Sequence, residues 1–173
     1  LSRGLGDVYK RQVLISSAFF LFFVTVRDFF IKKFSSFSQN ISHFGFSLLI
    51  LSILFNNFLT NETIINLKLG QTHVAEKFII KFEDVNQSSQ KNYESVVGKF
   101  SVKNNDGKTD ILYPELRIYN QPNIVTSEAY IKTNFFLDKF MTMNYVQNEE
   151  YFNIRYQTKP LMLWIWISVI LIS

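Results

Sequence analysis

The chain has 173 residues, a formal net charge of +4, 47% hydrophobic and 17% aromatic residues, 19 Phe and no cysteine. That apolar content excludes a disordered linker. The missing thiols exclude a disulfide scaffold, a Cys-ligated zinc and a thiol nucleophile within the chain, and two histidines alone cannot close a His/Cys zinc site. The charge is unevenly placed: from Thr60 to Lys159 there are 12 Lys+Arg and 12 Asp+Glu, so the whole excess, 6 basic against 2 acidic residues, precedes Phe34. The later region offers no basic excess to a phosphate backbone, and nucleic acid is not an expected partner.

In chain order, Leu1–Gln12 (LSRGLGDVYKRQ) comes first, with three basic residues and two of the six glycines, and without the Phe/Ile/Asn bias seen later. It is read as a non-native leader and set aside from the fold. Val13–Val26 (VLISSAFFLFFVTV) follows, 14 uncharged residues, read as part of a transmembrane helix. A secretory signal would need small residues at a cleavage site, and Arg27-Asp28-Phe29-Phe30 stand there instead. In the linker Arg27–Asn40, Arg27, Lys32 and Lys33 outnumber Asp28. Short Lys/Arg-rich loops stay in the cytoplasm, so this linker is expected there. Phe29, Phe30, Phe34 and Phe37 would lay it along the headgroups.

Ile41–Leu59 (ISHFGFSLLILSILFNNFL) is a 19-residue run without a charge. As a helix it covers roughly 28 Å, against a hydrocarbon core of about 30 Å, and is expected to span. The alternative is a buried helix of a soluble protein; against it, Phe, Leu and Ile occupy every face, without the polar stripe of a helix packed at a domain surface. Thr60–Lys159 then lies outside the cytoplasm, and residues 160–173 begin a return span that the chain end interrupts. Lys159, Trp164 and Trp166 stand where a snorkelling amine and interfacial indoles belong.

Residues 60–159 are too many for a bare loop. Phe78–Phe82, Val96–Val102, Ile111–Tyr113, Ile118–Tyr119, Ile124–Val125, Phe140–Val146 and Tyr151–Tyr156 read as short β segments, with a helical turn at Glu128–Lys132 as the exception. Asn105-Asp106-Gly107 is a hairpin turn, because Gly supplies a positive φ. The expected fold is therefore integral membrane: transmembrane α-helices plus an extracytoplasmic antiparallel β domain, a sandwich or partial barrel, between the last spans.

No GxSxG, Walker loop, GxGxxG or HExxH occurs, and no catalytic residue can be named. Glu149-Glu150 reads as a solvated turn, Arg155 and Lys159 as lipid-headgroup anchors, and Asn61-Glu62-Thr63 as a glycosylation pattern relevant only in a eukaryotic secretory route. His43 differs: it lies inside an uncharged run with Ser42 and Gly45. An intramembrane imidazole is costly without a partner and is a functional candidate by default. Two readings stand. It is an interfacial His bonded to a backbone carbonyl, or an axial haem ligand, with Gly45 admitting a flat ring or another helix. His73 cannot share an iron with it, since 17 helical steps carry the chain roughly 25 Å from His43 to Thr60; His73 is an ordinary surface residue.

An ordered series of short motifs then resembles the C-terminal part of the CcmF family, the haem lyase membrane subunit of cytochrome c maturation. The family's Ala-His-x-Gly segment is matched by Ser42-His43-Phe44-Gly45. Its Asn-Tyr pair is matched by Asn92-Tyr93, its Glu-x-Arg-x-Tyr stretch by Pro114-Glu115-Leu116-Arg117-Ile118-Tyr119, and its Thr-Glu-Ala-x-Ile by Ser127-Glu128-Ala129-Tyr130-Ile131. Arg-Asp-x-Tyr keeps Asp138 but has Leu137 and Phe140, and the close is Arg155, Lys159-Pro160 and Trp164-Ile165-Trp166. The series runs from about Phe37 to Ser168. The departures are Ser38-Gln39 for a Gly-Met, Ser52 and Ser168 for glycines, and Phe140, whose lost hydroxyl argues against an acid role there.

The resemblance implies that His43 is one axial ligand of a stable b-type haem. The second ligand, the tryptophan-rich haem-handling motif and the external histidines lie outside this chain. It implies a haem lyase subunit that helps attach haem to apocytochrome c, with this segment inactive alone. The implied partners are a haem chaperone, apocytochrome-presenting proteins and apocytochrome c. The implied place is the inner (plasma) membrane, multi-pass, with residues 60–159 periplasmic, or a mitochondrial inner membrane. The competing expectation is a membrane-anchored extracytoplasmic binding or scaffold module without a cofactor, in which His43 is structural.

Overall fold

A computed structural model describes residues 2–31, 36–146 and 149–173, which fall into two units: one of Leu1–Thr60, Asn134–Asp138 and Lys159–Ser173, the other of Asn61–Thr133 and Lys139–Thr158. Lys32, Lys33 and Phe34 of the expected linker lie outside the described residues.

The first unit holds α1 (Ser2–Ile31), α2 (Phe37–Leu59) and α3 (Met162–Ile172). α1 is longer than the run Val13–Val26. No Gly or Pro interrupts residues 13–31, and the helix carries on through Arg27–Ile31, the first five residues of the expected linker. α2 starts four residues earlier than its uncharged run. Ser36 caps it, its hydroxyl accepting from the Gln39 N–H at 3.3 Å. Gln12–Ile31 (20 residues) and Phe37–Leu59 (23 residues) are long and apolar enough to cross a membrane; Met162–Ile172 is shorter.

The helices meet through aromatic rings and small residues. Phe22 packs on Phe44 with ring centroids 5.6 Å apart, and Phe19 on Phe55 at 5.8 Å. The Thr25 and Ser47 hydroxyls lie 3.0 Å apart, joining α1 to α2. Ser47, Ser52 and Ser168 are fully buried. The Asn56 side-chain amide donates to the Pro160 carbonyl at 2.7 Å, tying the end of α2 to the residue pair before α3.

The second unit is an antiparallel sandwich. One sheet has the order β1 (Asn61–Leu67), β10 (Phe152–Pro160), β9 (Leu137–Tyr145), β8 (Tyr130–Lys132). The other has β2 (Thr72–Val74), β3 (Phe78–Ser89), β4 (Tyr93–Asn104), β6 (Glu115–Asn120), β7 (Asn123–Glu128), with β5 (Thr109–Leu112) also pairing β4. Alternation puts Val96, Phe100 and Val102 of β4 and Met141 and Met143 of β9 into the core. In β3 the core face is carried first by Phe78, Ile80 and Phe82. A bulge between Phe82 and Asp84 then shifts the register, and Val85 takes over. Phe82 and Phe100 stack at 4.3 Å at the centre, both fully buried. The β4–β5 turn passes through Gly107 at φ 80°.

Three segments differ from the sequence reading. Glu128–Lys132 is not a helical turn: β7 ends at Glu128 and β8 begins at Tyr130, both paired to neighbouring strands. β1 and β2 lack a clean alternation of large apolar residues, and pairing with β10 and β3 defines them.

Candidate functional site

His43 lies on the second turn of α2, exposed, and its ring makes no hydrogen bond with any described residue. At about 100° per residue, Gly45 and Ser52 lie about 160–180° round the helix from it. Both are buried. A Cβ on Gly45 would sit 2.8 Å from Leu171 Cβ and 3.1 Å from the Ser168 carbonyl oxygen. Gly45 therefore admits a helix, α3, on the face opposite the imidazole. Ser47, one turn after His43, is held by Thr25 of α1. With α1 and α3 fixing the rotation of α2, His43, Phe46, Ile53 and Asn57 form an outward stripe.

An outward imidazole beside aromatic and aliphatic side chains leaves a ring nitrogen open to a ligand brought from elsewhere. The chain supplies one such nitrogen. Among the described residues no three His, Asp or Glu side chains gather into a metal site, and His73 is half-buried in β2, paired with Ile80. A pocket of about 380 Å³ lies near the end of α1 and the start of α2, lined by Val26, Phe29, Phe30, Ile41, Phe44 and Leu171; His43 is not in its wall.

In the sandwich, three of the motifs read separately along the chain come together on one face of β4, β6 and β7. Arg117 bonds Glu115 at 3.0 Å, approaches Glu128 at 3.9 Å and lies over the Tyr93 ring at 5.1 Å. Tyr93 and Tyr119 pack at 5.3 Å, and the Ser95 hydroxyl donates to Glu115 at 2.6 Å. The Arg117 bond holds the Glu115 carboxyl below its ordinary range, against its burial and with help from Ser95. Glu115 and Glu128 are register partners, so Arg117 relieves two carboxylates facing each other across neighbouring strands. Asn92 is exposed.

A second constellation was not anticipated. Asp110 of β5 bonds Lys132 of β8 at 2.6 Å through one carboxylate oxygen and Lys139 of β9 through the other. Lys132 and Lys139 are register partners, and the Lys139 side chain is only 7% exposed. Burial pushes the Asp110 carboxyl up, but the two ammonium groups outweigh it and bring it down to about 2. The neighbouring Tyr156 hydroxyl is buried without a hydrogen-bond partner among the described residues, and burial followed by the Asp110 charge raises it well above the usual phenol range. One sign was present in the sequence: Lys139 is in phase with Met141 and Met143, which places an amine on a core face.

Arg155 was expected to face lipid headgroups. Its Nε instead pairs with Glu62 at 2.6 Å across β1 and β10, and Gln157 donates to the same carboxylate at 2.8 Å. Alternation along β10 buries Ile154 and Tyr156 and turns Arg155 outward, toward the charged side chain on β1. Glu149 and Glu150 are exposed, with Glu150 3.0 Å from Lys68.

Residues 58–160 match the family described as the CcmF C-terminal beta-sandwich. Over 162 residues the chain is 23% identical to the cytochrome c-type biogenesis protein NrfE of Haemophilus influenzae, covering 93% of this chain and 26% of that protein. Over 141 residues it is 25% identical to the cytochrome c-type biogenesis protein CcmF of Escherichia coli, covering 81% of this chain and 22% of that protein. The chain thus spans about a quarter of the length of these relatives. A solved structure, "Cytochrome c Heme Lyase CcmF", shares the fold at a TM-score of 0.61 and 19% identity, over 78% of this chain and 23% of that one.

Proposed function

The chain belongs to the CcmF C-terminal β-sandwich family, and on that premise we propose that it is part of a haem lyase subunit acting in cytochrome c biogenesis. In this reading α1, α2 and α3 are membrane segments of an inner-membrane, multi-pass protein, and the sandwich is its periplasmic domain. His43 is an axial ligand of a b-type haem whose second ligand comes from polypeptide outside this chain. The protein works with a haem chaperone and apocytochrome-presenting proteins to attach haem to apocytochrome c.

The observation that carries the reading is His43 itself: a lone imidazole in an uncharged helix, turned outward by the contact of Gly45 with α3. A partnerless polar ring in such a segment is costly, so a ligand that uses its nitrogen accounts for its presence. When bound, a haem supplies one-electron redox chemistry there. The residues of this chain then have distinct tasks. His43 offers a ring-nitrogen lone pair, Phe46 and Ile53 exclude water from the same face, and Gly45, Ser47 and Thr25 fix the rotation that aims the ring.

His43→Ala in the full-length protein is expected to remove the b-type absorbance and the formation of mature cytochrome c while the protein accumulates at its normal level. Unchanged haem content would overturn the assignment of His43. A full-length protein that purifies without pigment would favour a cofactor-free binding or scaffold module.

A further inference from the structure

The turn joining β8 to β9 carries two adjacent phenylalanines, Phe135 and Phe136, 54% and 64% exposed. A turn on a water-facing surface is built from Gly, Asn, Asp or Ser, which satisfy its backbone cheaply. Here the backbone is held by other means. The Asn134 N–H donates to the buried Asp138 carboxylate at 3.3 Å, the Leu161 N–H donates to the Phe136 carbonyl at 2.8 Å, and the Trp164 indole N–H donates to the Phe135 carbonyl at 3.0 Å. The Trp164 ring meets Phe135 edge-on at 4.9 Å and lies parallel to Phe136 at 6.3 Å. Asp138 and Trp164 thus hold two large apolar rings outward instead of letting them collapse into a core.

We propose that the Asn134–Phe136 turn and the first turn of α3 form an aromatic wedge that seats in the headgroup–acyl boundary of a lipid bilayer. The occupant follows from continuity: residues 133–137 (TNFFL) carry no charge, and the exposed rings lead into the exposed Trp166 and Ile170 of α3, an eleven-residue helix without a charge. Indoles and phenyl rings with their polar atoms already satisfied are the side chains that partition to that boundary. Asp138 is the positioning residue, since its carboxylate fixes the turn without itself touching lipid. The inference rests on reading α3 as a membrane segment and goes beyond it, because the Phe pair belongs to the connection between two strands.

The test uses full-length protein with its other cysteines replaced, in nanodiscs of phosphatidylcholine and phosphatidylglycerol. Phe136→Cys, Ile170→Cys and Lys108→Cys each receive a nitroxide, and collision with oxygen is compared with collision with a water-soluble nickel chelate. The wedge requires the oxygen-to-nickel ratio at Phe136 to shift away from that at Lys108, in the exposed β4–β5 turn, toward that at Ile170. If Ile170 favours oxygen while Phe136 favours nickel, the wedge is overturned and α3 remains a membrane segment. If Phe136 is shielded from both reagents, protein covers the patch and the wedge is overturned. If Ile170 itself favours nickel, the membrane reading falls and the wedge with it.

Discussion

The sandwich and the helical unit settle their polar groups in opposite ways. In the sandwich, charges that fall on or beside the core are paired within the unit: Asp110 with Lys132 and Lys139, Arg117 with Glu115 and Glu128, Glu62 with Arg155. In the helices the hydroxyls of Thr25, Ser47 and Ser168 turn back to their own backbone, while Ser52 Oγ is buried without a hydrogen bond among the described residues. Thr25 bonds the Leu21 and Phe22 carbonyls, Ser47 bonds Phe44 and Ser168 bonds Trp164. That arrangement lets small residues approach closely, and the one ionisable ring on α2, His43, makes no hydrogen bond among the described residues. The sandwich pairs these charges within itself, whereas the helical unit presents one finished face, packed between helices, and one exposed stripe along His43, Phe46, Ile53 and Asn57.

The largest test of that contrast is Asp110→Asn. It leaves the nearly buried Lys139 ammonium beside Lys132 without a carboxylate, and breaking a buried pair in this way costs about 3–5 kcal/mol. Hydrogen exchange on the full-length protein should show β5, β8 and β9 opening while α2 and α3 keep their protection. Loss of the helical protection as well would break the claim that the sandwich's polar network is its own. Acid sharpens the same point. The folded Asp110 carboxyl sits at about 2, below the unfolded value of ~3.9. Its stabilising contribution is therefore complete above pH ~4 and is lost as pH falls toward 2. Asp110→Asn should remove that part of the acid sensitivity of β5, measured as exchange rate against pH.

Gly45→Val is the corresponding test in the helices. Its Cβ would fall within 2.8 Å of Leu171 Cβ, and overpacking of that order costs about 1–3 kcal/mol. The expected result is faster exchange in α3 and a shifted spectrum of the proposed haem, with the sandwich unaffected. An unshifted spectrum would show that α3 does not set the orientation of His43.

How much of this was legible in the sequence depends on where each residue's partner lies. The β segments of residues 78–156 follow from alternation, because one buried face imposes a period of two. The Gly107 turn follows from a local φ requirement. β1 was not legible: Asn61–Leu67 is mostly exposed, and its register against β10 comes from the far end of the domain. The same holds for the Asp110 triad, whose members are 22 and 29 residues apart. The Arg155–Glu62 pair is not legible either, because the acidic partner lies 93 positions earlier in the chain. The position of His43 in an uncharged run was plain, but its outward direction was not, since that depends on Gly45 meeting a helix more than a hundred residues away.

The smallest expected effect isolates the other contact that aims His43. Thr25→Val removes the hydroxyl 3.0 Å from Ser47 while keeping the branched shape. Side-chain hydrogen bonds between apolar helices average about 0.6 kcal/mol, and Ser47 keeps its bond to the Phe44 carbonyl at 2.8 Å. Hence α1 should loosen only slightly, as a small rise in exchange near Thr25, and the haem spectrum should stay closer to the unsubstituted protein than in Gly45→Val. If Thr25→Val instead disturbed the spectrum more than Gly45→Val, α1 would be the helix that sets the rotation of α2. The finished face of the helical unit would then lie on the Ser47 side, with α3 free to serve the surface that Trp164 and Trp166 begin.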